Sequence, residues 1–351
     1  MSEFLLARYD EMSPYVPGEQ PKDREYVKLN SNESPYMPAQ GVSEALGELA
    51  TAHLGCYADP SCRPLRQAVA DALHVVPESV FVGNGSDEVL AFLFLTFFDR
   101  TTEVCFPDVT YGFYHDYCQT FGVPYHEVPL LDDWTVDVEA LAASPAHVIL
   151  PNPNAPTGLT LSPEQIARIC DAHPERLVIV DEAYVDYDNP SCVPLVEAHR
   201  NLVVVQTLSK SRNLAGAHIG FAVAAPDLVD DVRKIKFAFN PFNVSTPTQD
   251  IGIAAMRDRT YLEQCVAEVV RVREDTRAEL ERLGCEVLPS HTNFLMMRHP
   301  HLEATTWLAH LRSCGVLVRH YDTSRLRDWL RVSIGTEDEM RQFLAATRDL
   351  L

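Results

Sequence analysis

Lys210 is the residue of this sequence best placed for covalent chemistry. It closes the stretch Val203-Val204-Val205-Gln206-Thr207-Leu208-Ser209-Lys210, where an apolar strand gives way to two hydroxyls and an ammonium. No other lysine occurs between Lys28 and Lys234, and arginine carries most of the chain's positive charge. Partial withdrawal from water at the mouth of a buried strand favours the neutral amine, the form that attacks a carbonyl carbon. A solvated loop lysine is the alternative when this stretch is read alone.

Three further apolar stretches end in polar groups. Val148-Ile149-Leu150 runs into Asn152-Pro153-Asn154-Ala155-Pro156-Thr157-Gly158, Val178-Ile179-Val180 into Asp181-Glu182-Ala183-Tyr184, and Val80-Phe81-Val82 into Gly83-Asn84-Gly85-Ser86-Asp87. A carboxylate directly after a buried strand needs a cationic or N–H partner, although Asp181 could equally cap a turn. The glycine-rich stretch is either a tight turn with an N-cap or a phosphate cradle of free backbone N–H groups at a positive helix end. Amine, carboxylate and cradle together are the parts that pyridoxal 5'-phosphate requires. The lysine forms a Schiff base, the carboxylate keeps the pyridine nitrogen protonated, and the cradle holds the 5'-phosphate.

Those stretches must be brought to one rim, and the order of elements provides for it. Between about residues 77 and 225 short apolar runs alternate with amphipathic ones, so strands are expected at 79–82, 103–106, 148–150, 177–180, 202–205 and 219–224. Helices are expected at 87–98, around 111–121, and from Ser162, with Pro163 at the first helical position. Continuous apolar strands separated by helices imply an α/β fold with a largely parallel sheet covered on both faces, and ligands bind beyond the carboxyl ends of such strands. After residue 245 a long helix at 259–283 stops at Gly284, followed by short strands near 294–297, 316–319 and 329–334 and helices at 303–313 and 336–350. The expected division is an N-terminal arm with part of a small domain (1–40), a large cofactor-binding domain (41–250) and a small α+β C-terminal domain (251–351).

The composition narrows the partners. Twenty-nine basic against fifty acidic residues give the 351-residue chain a net charge of -21, a field that repels nucleic acid and anionic membrane. The nine cysteines are scattered with no close pair, which points to reduced thiols in a cytoplasmic protein and to neither a zinc site nor a disulfide framework. The first residues lack the apolar core of a signal peptide, and the longest apolar run, Val89 to Phe98, is too short to span a bilayer.

Further motifs carry a family resemblance over nearly the whole chain. They are Leu29-Asn30-Ser31-Asn32-Glu33, Pro107-Asp108-Val109-Thr110-Tyr111-Gly112, Ser209-Lys210-Ser211-Arg212-Asn213-Leu214-Ala215-Gly216 and Leu330-Arg331-Val332-Ser333-Ile334-Gly335-Thr336. With them the sequence resembles the fold-type-I pyridoxal-phosphate aminotransferases, and within these the histidinol-phosphate aminotransferases. The resemblance implies a large domain with a mostly parallel seven-stranded sheet between helices, beside a smaller α+β domain. It implies Lys210 as the Schiff-base lysine, Asp181 as partner of the pyridinium nitrogen, Tyr184 at the ring 3'-oxygen and Tyr111 stacked on the ring. Gly85, Ser86, Asp87, Thr207 and Ser209 would surround the phosphate. Tyr57 would reach the phosphate of a neighbouring subunit, which implies a homodimer. Arg331 would pair with a substrate carboxylate, Arg319 with a distal phosphate, and Tyr15 would close over the substrate; Asn30 and Glu33 are further substrate-side candidates.

Two positions depart from the family pattern. His218 stands eight residues after the lysine where an arginine grips the phosphate, and Arg212 is the other cation available for that task. Ala155 replaces the asparagine that reaches the 3'-oxygen, leaving Asn154, or else Asn152, to substitute. The implied reaction is transamination between histidinol phosphate and 2-oxoglutarate. An aromatic amino acid aminotransferase and a decarboxylase of a phosphorylated amino acid are the alternatives.

Overall fold

The computed structural model describes residues 4–6, 9, 12, 18–48 and 54–351. Its strands, in chain order, are β1 (Val27–Lys28), β2 (Val80–Gly83), β3 (Val104–Pro107), β4 (Tyr125–Val128), β5 (His147–Pro151), β6 (Val178–Asp181), β7 (Leu202–Thr207), β8 (Gly220–Ala224), β9 (Glu286–Val287), β10 (Phe294–Arg298), β11 (Val316–Leu317), β12 (Arg319–His320) and β13 (Leu330–Ser333). Seven of them form one sheet in the order β2-β8-β7-β6-β5-β3-β4. The pairs from β7 to β4 are parallel, whereas β8 runs against both its neighbours, so β2 points the same way as β7. The expected α/β architecture is therefore present, and the carboxyl ends of β2, β5, β6 and β7 share one rim.

The continuous apolar runs are explained by burial on both faces. Val148, Leu150, Val178, Val180, Leu202 and Val204 pack into one hydrophobic cluster. Their alternates Ile149, Ile179, Val203 and Val205 pack into another on the opposite face. This is the two-residue period of a strand with helices above and below. Helix entry is as local as the sequence suggests: Ser162 and Gln165 form a reciprocal capping box at the start of Pro163–Ala172. The edge strand β4 was absent from the expected set. Tyr125, His126 and Glu127 lie partly or fully open to solvent, so it lacks the apolar run that marks its neighbours.

The C-terminal residues form a second, antiparallel sheet in the order β12-β13-β10-β9, while β1 pairs in parallel with β11. The expected single strand at 316–319 is split. Val316 and Leu317 pair with the N-terminal segment, and Arg319 and His320 pair with β13, which sets Arg319 opposite Arg331. Among the described residues no helix is long and apolar enough to cross a membrane. The nine cysteines are free thiols, seven of them buried.

Successive residues at the end of β6 send two acids to different surroundings. Glu182 is buried and accepts from Ser191 Oγ (2.6 Å), Cys192 N (2.5 Å) and Gln206 Nε2 (2.8 Å). Burial nevertheless pushes its pKa up to about 7. Glu182→Ala leaves three donors without an acceptor and should lower the free energy of unfolding by about 2–4 kcal/mol in urea titration. The raised value also sets a sign: the protonated acid contributes stability that is complete near pH 4 and lost as pH rises through about 7. The variant should accordingly show a shallower decline in stability from about pH 5 to about pH 8 than the parent.

Candidate active site

At the rim lies a cavity of about 220 Å³ whose wall includes Lys210, Asp181, Tyr184, Ser86, Asp87 and Tyr111, with Thr207, Ser209 and His218 beside them. The structure thus brings together residues that are up to 132 positions apart in the chain, counting from Ser86 to His218. The half-buried Lys210 places its Nζ 5.9 Å from the centroid of the Tyr184 ring.

Asp181 is 4 % exposed. Each carboxylate oxygen has one donor: Ala183 N to Oδ1 at 3.2 Å and the Tyr114 hydroxyl to Oδ2 at 3.1 Å. Burial pushes its pKa up to about 6, against the pull of the Tyr114 hydrogen bond. Two neutral donors do not balance a buried carboxylate, so the group favours a cationic N–H from the cavity side. Tyr114 escaped the sequence analysis. Its only sequence signal is the helical spacing Tyr111, Tyr114, Tyr117, which reads as an ordinary packed face.

Tyr184 is held from an unexpected direction. Asn32 Nδ2 donates to its hydroxyl oxygen at 2.9 Å, leaving the phenol proton for an acceptor in the cavity. Asn32 itself is fixed by Ser333 Oγ, which donates to its Oδ1 (3.0 Å) and accepts from its N–H (2.8 Å). Asn32 adopts φ 52°, a left-handed conformation that asparagine tolerates better than most residues. Tyr111 lines the cavity as expected, and its hydroxyl donates to Asp87 Oδ1 at 2.9 Å. Asp87 therefore uses its carboxylate to hold an aromatic ring and has only its backbone N–H for an anion.

The helix Gly85–Phe97 begins without a side-chain cap, so its first N–H groups are available to a ligand. Gly85 has φ +81°, and a Cβ there would lie 2.6 Å from Cε1 of His218. The imidazole consequently rests against the helix start, on the cavity wall. Gly220 of β8 is equally constrained, because a Cβ would lie 2.3 Å from Ser86 N. Arg212 is not the substitute for the missing arginine. Its Nη1 donates to Ala255 O at 2.8 Å, and its side chain lines a separate cleft of about 560 Å³.

The two asparagines expected at the ring oxygen are bonded elsewhere. Asn154 Nδ2 donates to Val109 O (3.0 Å) and Thr157 Oγ1 (2.9 Å), and Asn152 exchanges two hydrogen bonds with Leu161. Asn152 braces its own loop and Asn154 ties that loop to the segment after β3, and it is Ala155 that lines the cavity. Of the substrate-side candidates, Glu33 reaches the wall and pairs with Lys28 at 2.7 Å. Asn30 is buried, with its amide donating to Glu19 O at 2.9 Å. Arg331 donates to Asn30 O at 3.2 Å and lies over Phe294, whose ring meets Tyr184 edge-on at 5.2 Å. Its Nε is buried without a hydrogen-bond partner. Arg319 and Arg331 each stand 5.6 Å from the Tyr321 ring, on adjacent strands. Tyr57 lies away from the cavity, 83 % exposed and stacked on Phe242 at 4.4 Å. Tyr15 falls outside the described residues.

An amine, a buried carboxylate with no ion pair among the described residues, a phenol with a free proton and an uncapped helix start fit pyridoxal 5'-phosphate. The group carries an aldehyde, a protonatable ring nitrogen, a phenolic oxygen and a phosphate.

Comparison with known proteins agrees with this arrangement. Residues 24–346 match the family described as Aminotransferase class I and II. A histidinol-phosphate aminotransferase of Chromohalobacter salexigens is 46% identical, over 99% of this chain and 98% of that one. The solved histidinol-phosphate aminotransferase of Sinorhizobium meliloti, in complex with pyridoxal-5'-phosphate, is similar with a TM-score of 0.85 at 26% identity, covering 93% of each chain. The L-threonine-O-3-phosphate decarboxylase of Porphyromonas gingivalis shares the fold at 22% identity, with a TM-score of 0.80 over 92% of this chain and 98% of that one.

The Gly85 contact can be tested directly. Gly85→Ala should displace the His218 ring and weaken pyridoxal 5'-phosphate binding at least about tenfold, measured by titrating the apoprotein, with an unchanged far-ultraviolet circular dichroism spectrum.

Proposed function

The chain belongs to the aminotransferase class I and II family, and from that membership we propose that it transfers an amino group between histidinol phosphate and 2-oxoglutarate, a step of histidine biosynthesis. One observation carries the transaminase reading: Lys210 and the cation-seeking Asp181 face the same cavity. When bound, pyridoxal 5'-phosphate supplies a carbonyl carbon for amines and a ring that withdraws electrons from the substrate α-carbon. Lys210 Nζ is the amine that would hold that group in the cavity. With its amine free, the same Nζ would be the general base that moves the substrate α-proton. Asp181 would hold a proton on the ring nitrogen, and Tyr184 would give its phenol proton to the ring oxygen. The first N–H groups of the helix Gly85–Phe97, the hydroxyls of Ser86, Thr207 and Ser209, and the His218 ring would surround the phosphate.

The substrate preference rests on the paired arginines. A chain of net charge -21 repels anionic substrates unless cations are concentrated locally. Arg319 and Arg331, set opposite one another on β12 and β13, provide that concentration. Arg331 suits a carboxylate of glutamate bidentately, and the pair suits a phosphate. A homodimer with a shared site is supported by the aromatic surface of Tyr57, Phe239 and Phe242, which are 83%, 73% and 41% exposed. Nine unpaired cysteines suit a reducing compartment, and the cytoplasm is the proposed location.

Two measurements test this reading. Steady-state rates with 2-oxoglutarate should favour histidinol phosphate over phenylalanine by at least about a hundredfold in kcat/KM, because a site built to bind a phosphate rejects a ligand lacking it. Carbon dioxide release from threonine phosphate, or a preference for phenylalanine, would overturn the assignment. Lys210→Ala should abolish turnover while still binding the cofactor noncovalently, and Asp181→Ala should lose several orders of magnitude in kcat. Near-normal turnover in either variant would remove its assigned role.

A further inference from the structure

The geometry points to Tyr114 as a positioning residue for the reaction: its phenol, donated to Asp181 from within the protein, keeps that carboxylate ionised and aimed at the cofactor nitrogen. This deepens the reading above and rests on it. Tyr114 lies in the first turn of the helix Phe113–Phe121, is 0 % exposed, and has no role in lining the cavity. A phenol that deep costs desolvation unless its hydroxyl is bonded, and the bond it makes is to Asp181 Oδ2 at 3.1 Å. Phenylalanine would fill the same space without the hydrogen bond, so packing alone does not call for tyrosine.

The direction of the proton is settled by the surroundings. Burial and the Asp181 charge hold the Tyr114 phenol well above its ordinary pKa, so it remains a donor. Its ring is fixed by Tyr111, edge-on at 5.7 Å, and by Phe106 at 5.9 Å. Asp181 by contrast is pulled both ways. Burial and the charge of Asp87, on the helix Gly85–Phe97, favour its protonated form; Tyr114, the Ala183 N–H and Lys210 favour the carboxylate. Tyr111 and Tyr117 also face it as phenols that burial keeps protonated. Tyr184 and His218 face the cavity from the other walls. Only the carboxylate can stabilise a protonated ring nitrogen, so the hydroxyl acts on the reaction through Asp181.

The test is titration of the apoprotein with pyridoxal 5'-phosphate from about pH 4.5 to about pH 8. It compares the parent protein, Tyr114→Phe, Asp181→Asn and the double variant. The ligand itself titrates in this range, so the readout is the difference between proteins, with Asp181→Asn as the baseline. In the parent, the Asp181-dependent part of the affinity should be lost as pH falls through about 6. In Tyr114→Phe the midpoint should move to higher pH, and affinity at pH 7 should fall about tenfold, the effect of one hydrogen bond to a charged group. The same variant should lose kcat with little change in KM for the amino donor. Added to Asp181→Asn, Tyr114→Phe should change affinity less than about twofold, because the two residues act as a unit. An unmoved midpoint, or an undiminished effect of Tyr114→Phe in the Asp181→Asn background, overturns the role. Failure of the parent protein to bind the cofactor at any pH would instead sink the transaminase reading itself.

Discussion

A carboxylate withheld from water at the end of β6 is the constraint on which the rest of the site depends. Asp181 is placed there because β6 is central, with β5 and β7 as its neighbours and helices covering both faces. A strand so enclosed presents its last residue to a dry interior, where a negative charge survives only with donors or a cation nearby. Tyr114 and Ala183 supply the donors, and the cavity is left to supply the cation. The adjacent acid has no such vacancy: Glu182 is served by three donors and belongs to the scaffold. Two neighbouring acids thus differ by what surrounds each: Glu182 is satisfied within the scaffold, and Asp181 faces the cavity.

The second sheet is tied to the first through the cavity wall. Ser333, on β13, orders Asn32, and Asn32 orders the Tyr184 hydroxyl. Phe294 on β10 touches both Tyr184 and Arg331. Arg331 on the second sheet is therefore mechanically continuous with Tyr184 at the cavity wall. The two-strand pairing of β1 with β11 holds the segment that carries Asn30, Asn32 and Glu33 in place. Displacing that segment would disturb both halves of the site at once.

Charge is arranged against the background of the whole molecule. An acidic surface discourages nucleic acid and membrane, and the same field would repel phosphorylated or dicarboxylic substrates. The paired guanidinium groups around Tyr321 answer this locally, the ring face attracting both cations and moderating their mutual repulsion. His218, packed against the helix start, puts a single imidazole on the cavity wall in place of a forked guanidinium.

Much of this was readable from sequence because it is local. Apolar runs of Val and Ile mark the central strands, Ser162 with Pro163 marks a helix start, and Lys210, Asp181 and Tyr184 stand out as polar groups at strand ends. The edge strand β4 was not readable, since its exposed residues carry no apolar run, and the break at Val318 depends on two different pairing partners. Asn154 and Arg212 had the right chemistry at plausible positions, but Asn154 was claimed by Val109 and Thr157 and Arg212 by Ala255. Asn32 reaches Tyr184 across 152 positions, and Tyr114 reaches Asp181 across 67. Residue type and chain-local pattern therefore determined which groups could react and on which elements they sit. Which of them face one another, and which are consumed by a neighbour, was decided by tertiary packing, because a hydrogen bond is settled by direction and distance in space and neither is encoded in spacing along the chain.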